Sequence, residues 1–371
     1  MTKAAELAKM GEVLTNSQIG GRRNMFFNPK ALVAQRGTTS IAAGTAGYGA
    51  LDRYRINNGS TAVTNTIQAT TVPTGQGFSN SIHLDVTTAD TSLTSGVQFL
   101  FTQRFEGQDL QHLKKGTSSA ETTVLSFWVR SAKSGTHIVE LFDTDNSRHI
   151  NKAYTVSSAD TWEHKEITIE GDTTGAFTND VNTSLEVTWH LAAGSNFTSG
   201  TLQTSWGSRT DANRAVGQVN VLDSTDNNFY LTGIQWEVGS QATPFEHRSF
   251  GEELDLCYRY YVKYHAGGSG TFSRIALGFM RTTTNLRALF TFPREMRSTP
   301  ALDDDNASNY HVEDAAGGSD VDATVASISQ GGFQTCLVNF TTGSLTNNLP
   351  AHVGVNDSTD KLVGLGFDAE L

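Results

Sequence analysis

Residues 228–264 read NFYLTGIQWEVGSQATPFEHRSFGEELDLCYRYYVKY, and this stretch decides how the whole chain is divided. Phe229 and Leu231 alternate with Tyr230, and a period of two predicts a half-buried strand. The pattern ends at Gly-Ser and Thr-Pro pairs, because Pro244 lacks the N–H donor that strand pairing requires. The strand is therefore the last element of the domain that precedes it.

A short helix and a new strand follow. Ser249 is followed three residues later by Glu252, the spacing of a capping box, which predicts a helix that ends near Cys257. The apolar run 258–264 then predicts the first strand of another domain. The stretch thus closes one β-domain and opens a second.

The composition favours an all-β protein and excludes several functions. The 371 residues include 35 Gly, and only 18% are charged, a turn-rich pattern typical of many short strands. The net charge of -11 argues against nucleic-acid binding, which requires a basic face. No apolar run is long enough for membrane insertion. The two cysteines, Cys257 and Cys336, are predicted to be buried free thiols, which fits assembly in a reducing cytoplasm.

The alternating segments predict three parts. Residues 1–24 form an N-terminal helix and linker, residues 25–250 a jelly-roll β-sandwich, and residues 251–371 a second, smaller β-sandwich. Residues 124–130 and TWEHKEITIEGDTTG (161–175) resemble the strands of carbohydrate-binding jelly-roll modules. A tryptophan in a strand is usually a core residue. We therefore expect the core to contain four of the five tryptophans: Trp128, Trp162, Trp189 and Trp236.

The N-terminal residues predict an attachment segment. Three apolar residues lie on one side of a short helix that needs a partner to be stable, and a bend with two arginines follows. The alternative is a frayed terminus. The residues expected to anchor the chain are Leu7, Met10, Leu14, Gly20, Gly21, Arg22, Arg23 and Asn24. Of these, Leu7, Met10 and Leu14 form the apolar strip expected to pack around a threefold axis.

Four segments carry a resemblance to a known group of proteins. They are AELAKMGEVLTNSQIGGRRN, which ends at Asn24, QRFEGQDLQHLKKGT (103–117), the stretch 229–261 and the terminal GLGFDAEL (364–371). They resemble structural proteins of marine tailed bacteriophages, both cyanophage-like and pelagiphage-like. The resemblance implies a virion component, most readily a homotrimeric tail fibre or appendage that contacts other virion proteins and a host-surface glycan. A capsid decoration or vertex-fibre protein without a receptor role is the alternative, and a glycan-depolymerising tailspike is a third hypothesis.

Glycan binding would use aromatic rings with polar neighbours, because sugars stack their apolar faces on rings. Trp206 lies in a loop rich in Gly, Ser and Thr, with Arg209 and Asp211 close by. Tyr310 and His311 lie in an acidic segment of the second domain. These five residues are the glycan-binding candidates, although a loop aromatic can equally fill a subunit interface.

Catalytic and metal-binding patterns are sparse. HExxH, GxSxG and CxxC motifs are absent, so the sequence predicts no enzyme and no organic cofactor. Asp303 and Asp305, and likewise Asp143 and Asp145, have the i, i+2 spacing of oxygen ligands that suit Ca²⁺. A solvated acidic turn is the favoured interpretation of each pair.

Overall fold

The computed structural model describes residue 3 and residues 22–265, 273–304, 310–315, 321–355 and 364–371. The chain divides into two compact units between Glu253 and Leu254, with the terminal Leu371 belonging to the first unit. The sequence predicted this division between residues 250 and 251. Leu7, Met10, Leu14, Gly20 and Gly21 lie outside the described residues.

The first unit is a two-sheet, antiparallel β-sandwich of jelly-roll type, which confirms the predicted fold class. One sheet has six strands in the order β1-β4-β5-β13-β7-β10, and the other has seven in the order β12-β9-β8-β11-β6-β3-β2. The strands are β1 (Thr39–Ile41), β2 (Ala46–Tyr48), β3 (Arg55–Asn58), β4 (Val63–Ala69), β5 (Ser81–Thr88), β6 (Gln98–Glu106), β7 (Thr123–Ser131), β8 (Gly135–Asp143), β9 (Arg148–Val156), β10 (Glu163–Ile169), β11 (Thr183–Ala193), β12 (Gly207–Ser208) and β13 (Asn228–Val238).

Short helices complete the description. Two 3₁₀ helices cover Gly107–Leu113 and Asp211–Asn213, and an α-helical turn covers Ser195–Thr198. The helix Phe250–Cys257 begins with the predicted capping box. The backbone N–H of Ser249 donates a hydrogen bond to the Glu252 carboxylate, and the backbone N–H of Glu252 donates one to the Ser249 hydroxyl. None of the described helices is long and apolar enough to cross a membrane.

An aromatic cluster fills the space between the two sheets of the sandwich. Trp189 is fully buried and lies edge-on to Phe127, with ring centroids 5.5 Å apart. Trp236 is 2% exposed and contacts Phe105 at 5.4 Å. Edge-to-face packing of this kind adds to the free energy gained by burying the rings. Two of the four tryptophans expected in the core are therefore there.

The segment that follows the N-terminal region is irregular and is built into the sandwich. It has no strand, because Asn28 and Ala31 have left-handed backbone conformations with φ of 51° and 56°. The Asn24 side chain is fully buried and accepts hydrogen bonds from the backbone N–H groups of Phe26 and Trp236. This segment therefore belongs to the first unit's core.

The second unit is a closed barrel together with a small sheet, where the sequence predicted a sandwich. The barrel order is β15-β16-β20-β19-β18-β21, closed by the pairing of β21 with β15, and the three-stranded sheet is β14-β22-β17. Closure gives every barrel strand two neighbours, which a sandwich does not. The strands are β14 (Tyr261–His265), β15 (Ser273–Thr282), β16 (Asn285–Thr291), β17 (Ala301–Asp304), β18 (Tyr310–Asp314), β19 (Val321–Gly331), β20 (Thr335–Thr342), β21 (Pro350–Val355) and β22 (Gly364–Asp368).

Both cysteines are buried thiols that form no disulfide, as predicted. Cys257 is 0% exposed and Cys336 1%. Burial raises the pKa of the Cys336 thiol, which keeps it protonated and unreactive at neutral pH.

Candidate functional site

The solvent-facing side of the six-stranded sheet carries aromatic rings. Along β7 the side chains of Phe127 and Val129 point into the core and are fully buried, while Trp128 and Arg130 are on the opposite face and half-buried. Successive residues of a strand alternate between faces, so Trp128 must point away from the sandwich core. The same alternation on β13 places Tyr230 on this outer side.

Cross-strand pairing brings the rings together. Tyr230 is paired with His83 on β5, and the two rings stack at 4.2 Å with an interplanar angle of 6°. Trp162 lies 6.1 Å from Tyr230, edge-on. Trp128 is paired with His164 on β10, with ring centroids 5.1 Å apart. We call these five residues, His83, Trp128, Trp162, His164 and Tyr230, the aromatic face.

Polar groups surround the aromatic face. The Arg130 guanidinium lies 5.0 Å from the centre of the Tyr230 ring and donates hydrogen bonds of 2.9 and 3.1 Å to the carbonyl and carboxylate of Asp160. Asn228 Oδ1 lies 2.5 Å from His83 Nε2. Asp85 is paired with Asn228 on the neighbouring strand. These polar groups therefore offer both hydrogen-bond donors and acceptors at the edge of the aromatic face.

Burial sets the charge state of two members of the aromatic face. It raises the pKa of Tyr230, whose ring lies between His83 and Arg130, so the phenol stays neutral. Burial also lowers the pKa of His164. Its ring is then uncharged at neutral pH. These two neutral rings are suited to stacking on an uncharged ligand surface.

The loop site predicted around Trp206 is arranged differently. The Trp206 indole donates a 2.7 Å hydrogen bond to the Glu170 carbonyl, and its half-buried ring, with Phe177 and Trp236, lines a cavity of about 30 Å³. This cavity holds about one water molecule. The Trp206 ring thus packs against the protein itself.

Arg209 and Asp211 do not contact Trp206 in the described contacts. The Arg209 guanidinium lies 4.6 Å from the centre of the Phe142 ring and donates a 3.2 Å hydrogen bond to Asp211. Asp211 also starts the 3₁₀ helix that leads to Arg214. These two predicted sugar-binding side chains hold the loop on the sandwich.

Tyr310 and His311 cannot bind a glycan in this fold. Tyr310 is 1% exposed and packs against Phe340 inside the barrel. His311 is 2% exposed, and its ring covers Gly354 on the paired strand. A buried ring offers no face to a sugar, so the prediction for these two residues is corrected.

The acidic loops are not arranged as metal sites in the described residues. Asp303 accepts a 2.9 Å hydrogen bond from the Tyr261 hydroxyl, and Asp305 lies outside the described residues. Across the ranges that the structure describes, no group of three or more His, Cys, Asp and Glu side chains is placed to hold a metal ion. Because Asp305 lies outside the described residues, the Ca²⁺ site at Asp303 and Asp305 stays a prediction.

A lysine fills the other candidate cation site. The Lys115 ammonium lies 2.5 Å from Asp143 Oδ2 and 3.1 Å from Asp172 Oδ2. It also donates to the carbonyls of Thr174 and Gly175 at 3.0 and 2.6 Å. Two carboxylates and two carbonyls thus surround a charge that the chain supplies itself.

The described part of the predicted anchoring segment is engaged within the first unit. Arg22 lies 4.4 Å from the centre of the Phe27 ring. Arg23 forms an ion pair of 2.9 Å with Glu237, and the Glu246 carboxylate accepts hydrogen bonds from the backbone N–H groups of Arg23 and Asn24. Asn24 in particular is fully buried and cannot contact another protein. Its predicted anchoring role is corrected accordingly.

A buried acid–base cluster lies beneath the loop that carries Trp206 and Arg209. Glu140 is fully buried and lies 3.0 Å from His149 Nδ1 and 3.1 Å from His190 Nε2. Arg214 donates to both of its carboxylate oxygens, at 2.7 to 3.2 Å. Both oxygens are occupied by partners of this chain, so the cluster stabilises the fold.

Comparisons with known proteins give structural likenesses only. No protein-family model and no curated protein matches the chain. An enzymatically active domain of tailspike protein 4 from bacteriophage CBA120 aligns at 12% identity and a TM-score of 0.30, over 58% of this chain and 21% of that chain. The present chain therefore spans about a fifth of that tailspike domain.

Two carbohydrate-binding modules align over their whole length or nearly so. The family 11 module of a cellulosomal cellulase from Clostridium thermocellum matches at 12% identity and a TM-score of 0.27, over 62% of this chain and 98% of that chain. The module TmCBM61, solved with β-1,4-galactotriose, matches at 8% identity and a TM-score of 0.28, over 59% and 100%. At these values the likeness identifies neither ligand nor activity.

Proposed function

We propose that this protein is a virion appendage protein that binds a host-surface glycan without cleaving it, through the aromatic face of its first unit. The observation that carries the proposal is the set of rings on the outer side of the six-stranded sheet: His83 and Trp162 lie against Tyr230, and Trp128 lies against His164. Its position on a virion rests on the resemblance of the sequence segments to phage structural proteins. In this proposal the N-terminal residues that precede Arg22 attach the chain to the particle.

The chemistry of the aromatic face suits a sugar chain that lies across a sheet. The C–H faces of pyranose rings pack on the half-exposed indoles of Trp128 and Trp162, which bury apolar area without requiring charge. Arg130, Asp160 and Asn228 then form hydrogen bonds with hydroxyl groups at the edges. A surface of this kind contacts several consecutive residues of a polysaccharide.

Removing the two indoles will weaken glycan binding. We expect the double variant Trp128→Ala, Trp162→Ala to lose at least about tenfold in affinity, since each stacked ring contributes about 1 kcal/mol and 1.4 kcal/mol is tenfold. The measurement is isothermal titration of host surface polysaccharide into the purified protein. Both indoles are half-buried and outside the sandwich core, so the thermal melting temperature checks that the variant is folded.

Phe250→Ala is the matched control. Phe250 is the one exposed large hydrophobic residue of the first unit's described part, at 56%, and it belongs to the helix Phe250–Cys257 and not to a strand of the six-stranded sheet. We expect this variant to bind like the unmodified protein. Equal affinities for the double variant and the control would contradict the proposed site.

A further inference from the structure

The barrel of the second unit exposes a group of large apolar side chains. Leu277 is 73% exposed, Leu289 49% and Phe279 48%. Exposed leucines are common singly, but a contiguous group on a soluble domain usually marks an interaction surface. We call Leu277, Phe279 and Leu289, together with the half-buried Leu337, the apolar patch.

The barrel register makes the apolar patch continuous. Leu277 on β15 is paired with Leu289 on β16, and Leu289 is paired in turn with Leu337 on β20. Phe279 is two residues from Leu277 on the same strand and therefore points to the same side. Three neighbouring strands thus present one apolar row on the outside of the barrel, with Phe279 beside it.

A hollow of about 310 Å³ lies next to the most exposed leucine. Its walls are Leu277, Ala315, Pro350, Ala351 and the polar residues Glu313, Asp314 and His352. The Arg274 side chain crosses its edge, with its guanidinium 3.2 Å from Glu313 and 2.9 Å from His352 Nε2. A protruding apolar side chain and a hollow that can receive one therefore occur side by side.

The chemistry of the apolar patch disfavours non-protein ligands. Sugars stack on rings, and three of the four side chains here are leucines, which have no π face. An anionic membrane surface would be repelled by the carboxylate of Glu313 and by a chain whose net charge is -11. Strand addition is also excluded along this row, because the strands of the closed barrel already have neighbours on both sides.

We propose that the apolar patch is an interface with a second copy of this chain. The surface carries its own complement: Leu277 of one copy fills the hollow of the other, and the rim carries both signs of charge. Arg274 is 67% exposed and Glu313 34%, so each can pair with the opposite residue of a copy in place of its own. An apolar centre with a mixed polar rim is the usual anatomy of a subunit interface.

Cysteine cross-linking tests this interface directly, because both native cysteines are buried. A cysteine introduced by Leu277→Cys is then the single exposed thiol of the described chain. We expect a short bis-maleimide to convert most of this full-length variant to a covalent dimer. The control is Phe333→Cys, at a residue of the same unit that is 50% exposed and lies outside the apolar patch, and we expect it to stay a single chain.

Sedimentation velocity provides the second measurement. The unmodified protein should sediment as a multiple of its 40.0 kDa chain mass, and Leu277→Asn, Leu289→Asn should raise the concentration needed for association at least tenfold. Equal cross-linking of the two cysteine variants, or a monomeric unmodified protein at every concentration, would overturn the proposal. Because the substitutions are in the second unit, glycan binding by the first unit can be measured separately, and failure of one proposal does not imply failure of the other.

Discussion

Replacing Lys115 by Met will lower the free energy of unfolding of the first unit by about 3–5 kcal/mol, the usual effect of breaking a buried ion pair by removing one partner. The Lys115 side chain is 5% exposed, and those of Asp143 and Asp172 are 0% and 3%. Methionine occupies a similar volume but carries no charge. The variant would leave Asp143 with Asn146 as its described side-chain hydrogen-bond partner, while Asp172 would keep its ion pair with Arg148.

Lys114→Met is the control, at the adjacent residue of the chain. Lys114 is 54% exposed and its ion pair is with Glu121 at the surface, where such pairs contribute about 0–1 kcal/mol. The measurement is urea unfolding followed by tryptophan fluorescence. All five tryptophans are in the first unit, so the signal reports on this unit alone. Equal midpoints for the two variants would show that the buried ammonium contributes no more than a surface one.

Replacing Arg214 by Met will have an effect of similar size, about 3–5 kcal/mol at neutral pH. Arg214 is 4% exposed and is the permanently charged partner of the fully buried Glu140. Burial by itself would raise the pKa of Glu140, but hydrogen bonds from His149 and His190 and the charge of Arg214 hold it well below its usual range. Burial lowers the pKa of His190, so this ring is neutral at pH 7 and cannot replace the guanidinium.

The effect of Arg214→Met depends on pH. A depressed carboxyl pKa contributes stability that is present above the unfolded pKa, about 4.3, and is lost as the pH falls through the folded value. The difference in unfolding free energy between the two proteins should therefore be full at pH 7 and shrink below about pH 4. The control is Arg209→Met in the same loop, where the arginine side chain is 33% exposed and pairs with a surface carboxylate, and we expect a small change at either pH. A large loss for Arg209→Met, or a difference that does not depend on pH, would contradict this account.

Alternation along the strands predicted most of the first unit. The strand predicted from the alternation that starts at Phe229 matches β13 closely. The sequence did not predict β4 and β9, because their buried positions hold polar residues. Thr64 and Thr66 on β4 are 1% exposed, and His149 and Asn151 on β9 are fully buried. Apolar periodicity does not predict a strand whose buried side chains are polar and hydrogen-bonded.

The sequence placed the two tryptophans of the aromatic face wrongly, each for a different reason. In β7 the apolar residues 125, 127 and 129 define the inward phase, so Trp128 already belonged to the outward phase with Arg130. The general rule that a strand tryptophan is a core residue therefore predicted the wrong face for Trp128. Trp162 could not be placed this way, because it precedes β10 and reaches the aromatic face only through tertiary contact with Tyr230.

Other positions depended on partners that are far apart in sequence. Trp206 lies in a loop, and its burial depends on Glu170 and Lys115. Closure of the barrel depends on β15 pairing with β21, about seventy residues later in the chain. Local patterns do not specify such pairings, and for this reason the sequence predicted a second sandwich.

The most direct test of the proposed function is ¹⁹F NMR of protein labelled with 5-fluorotryptophan, titrated with a host surface polysaccharide. The five tryptophans give five resonances, each assigned by single Trp→Phe substitution. If the glycan binds the aromatic face, the resonances of Trp128 and Trp162 will shift, while those of the buried Trp189 and Trp236 will stay in place. Saturable binding that shifts only Trp206, or that leaves Trp128 and Trp162 unchanged, would contradict the account.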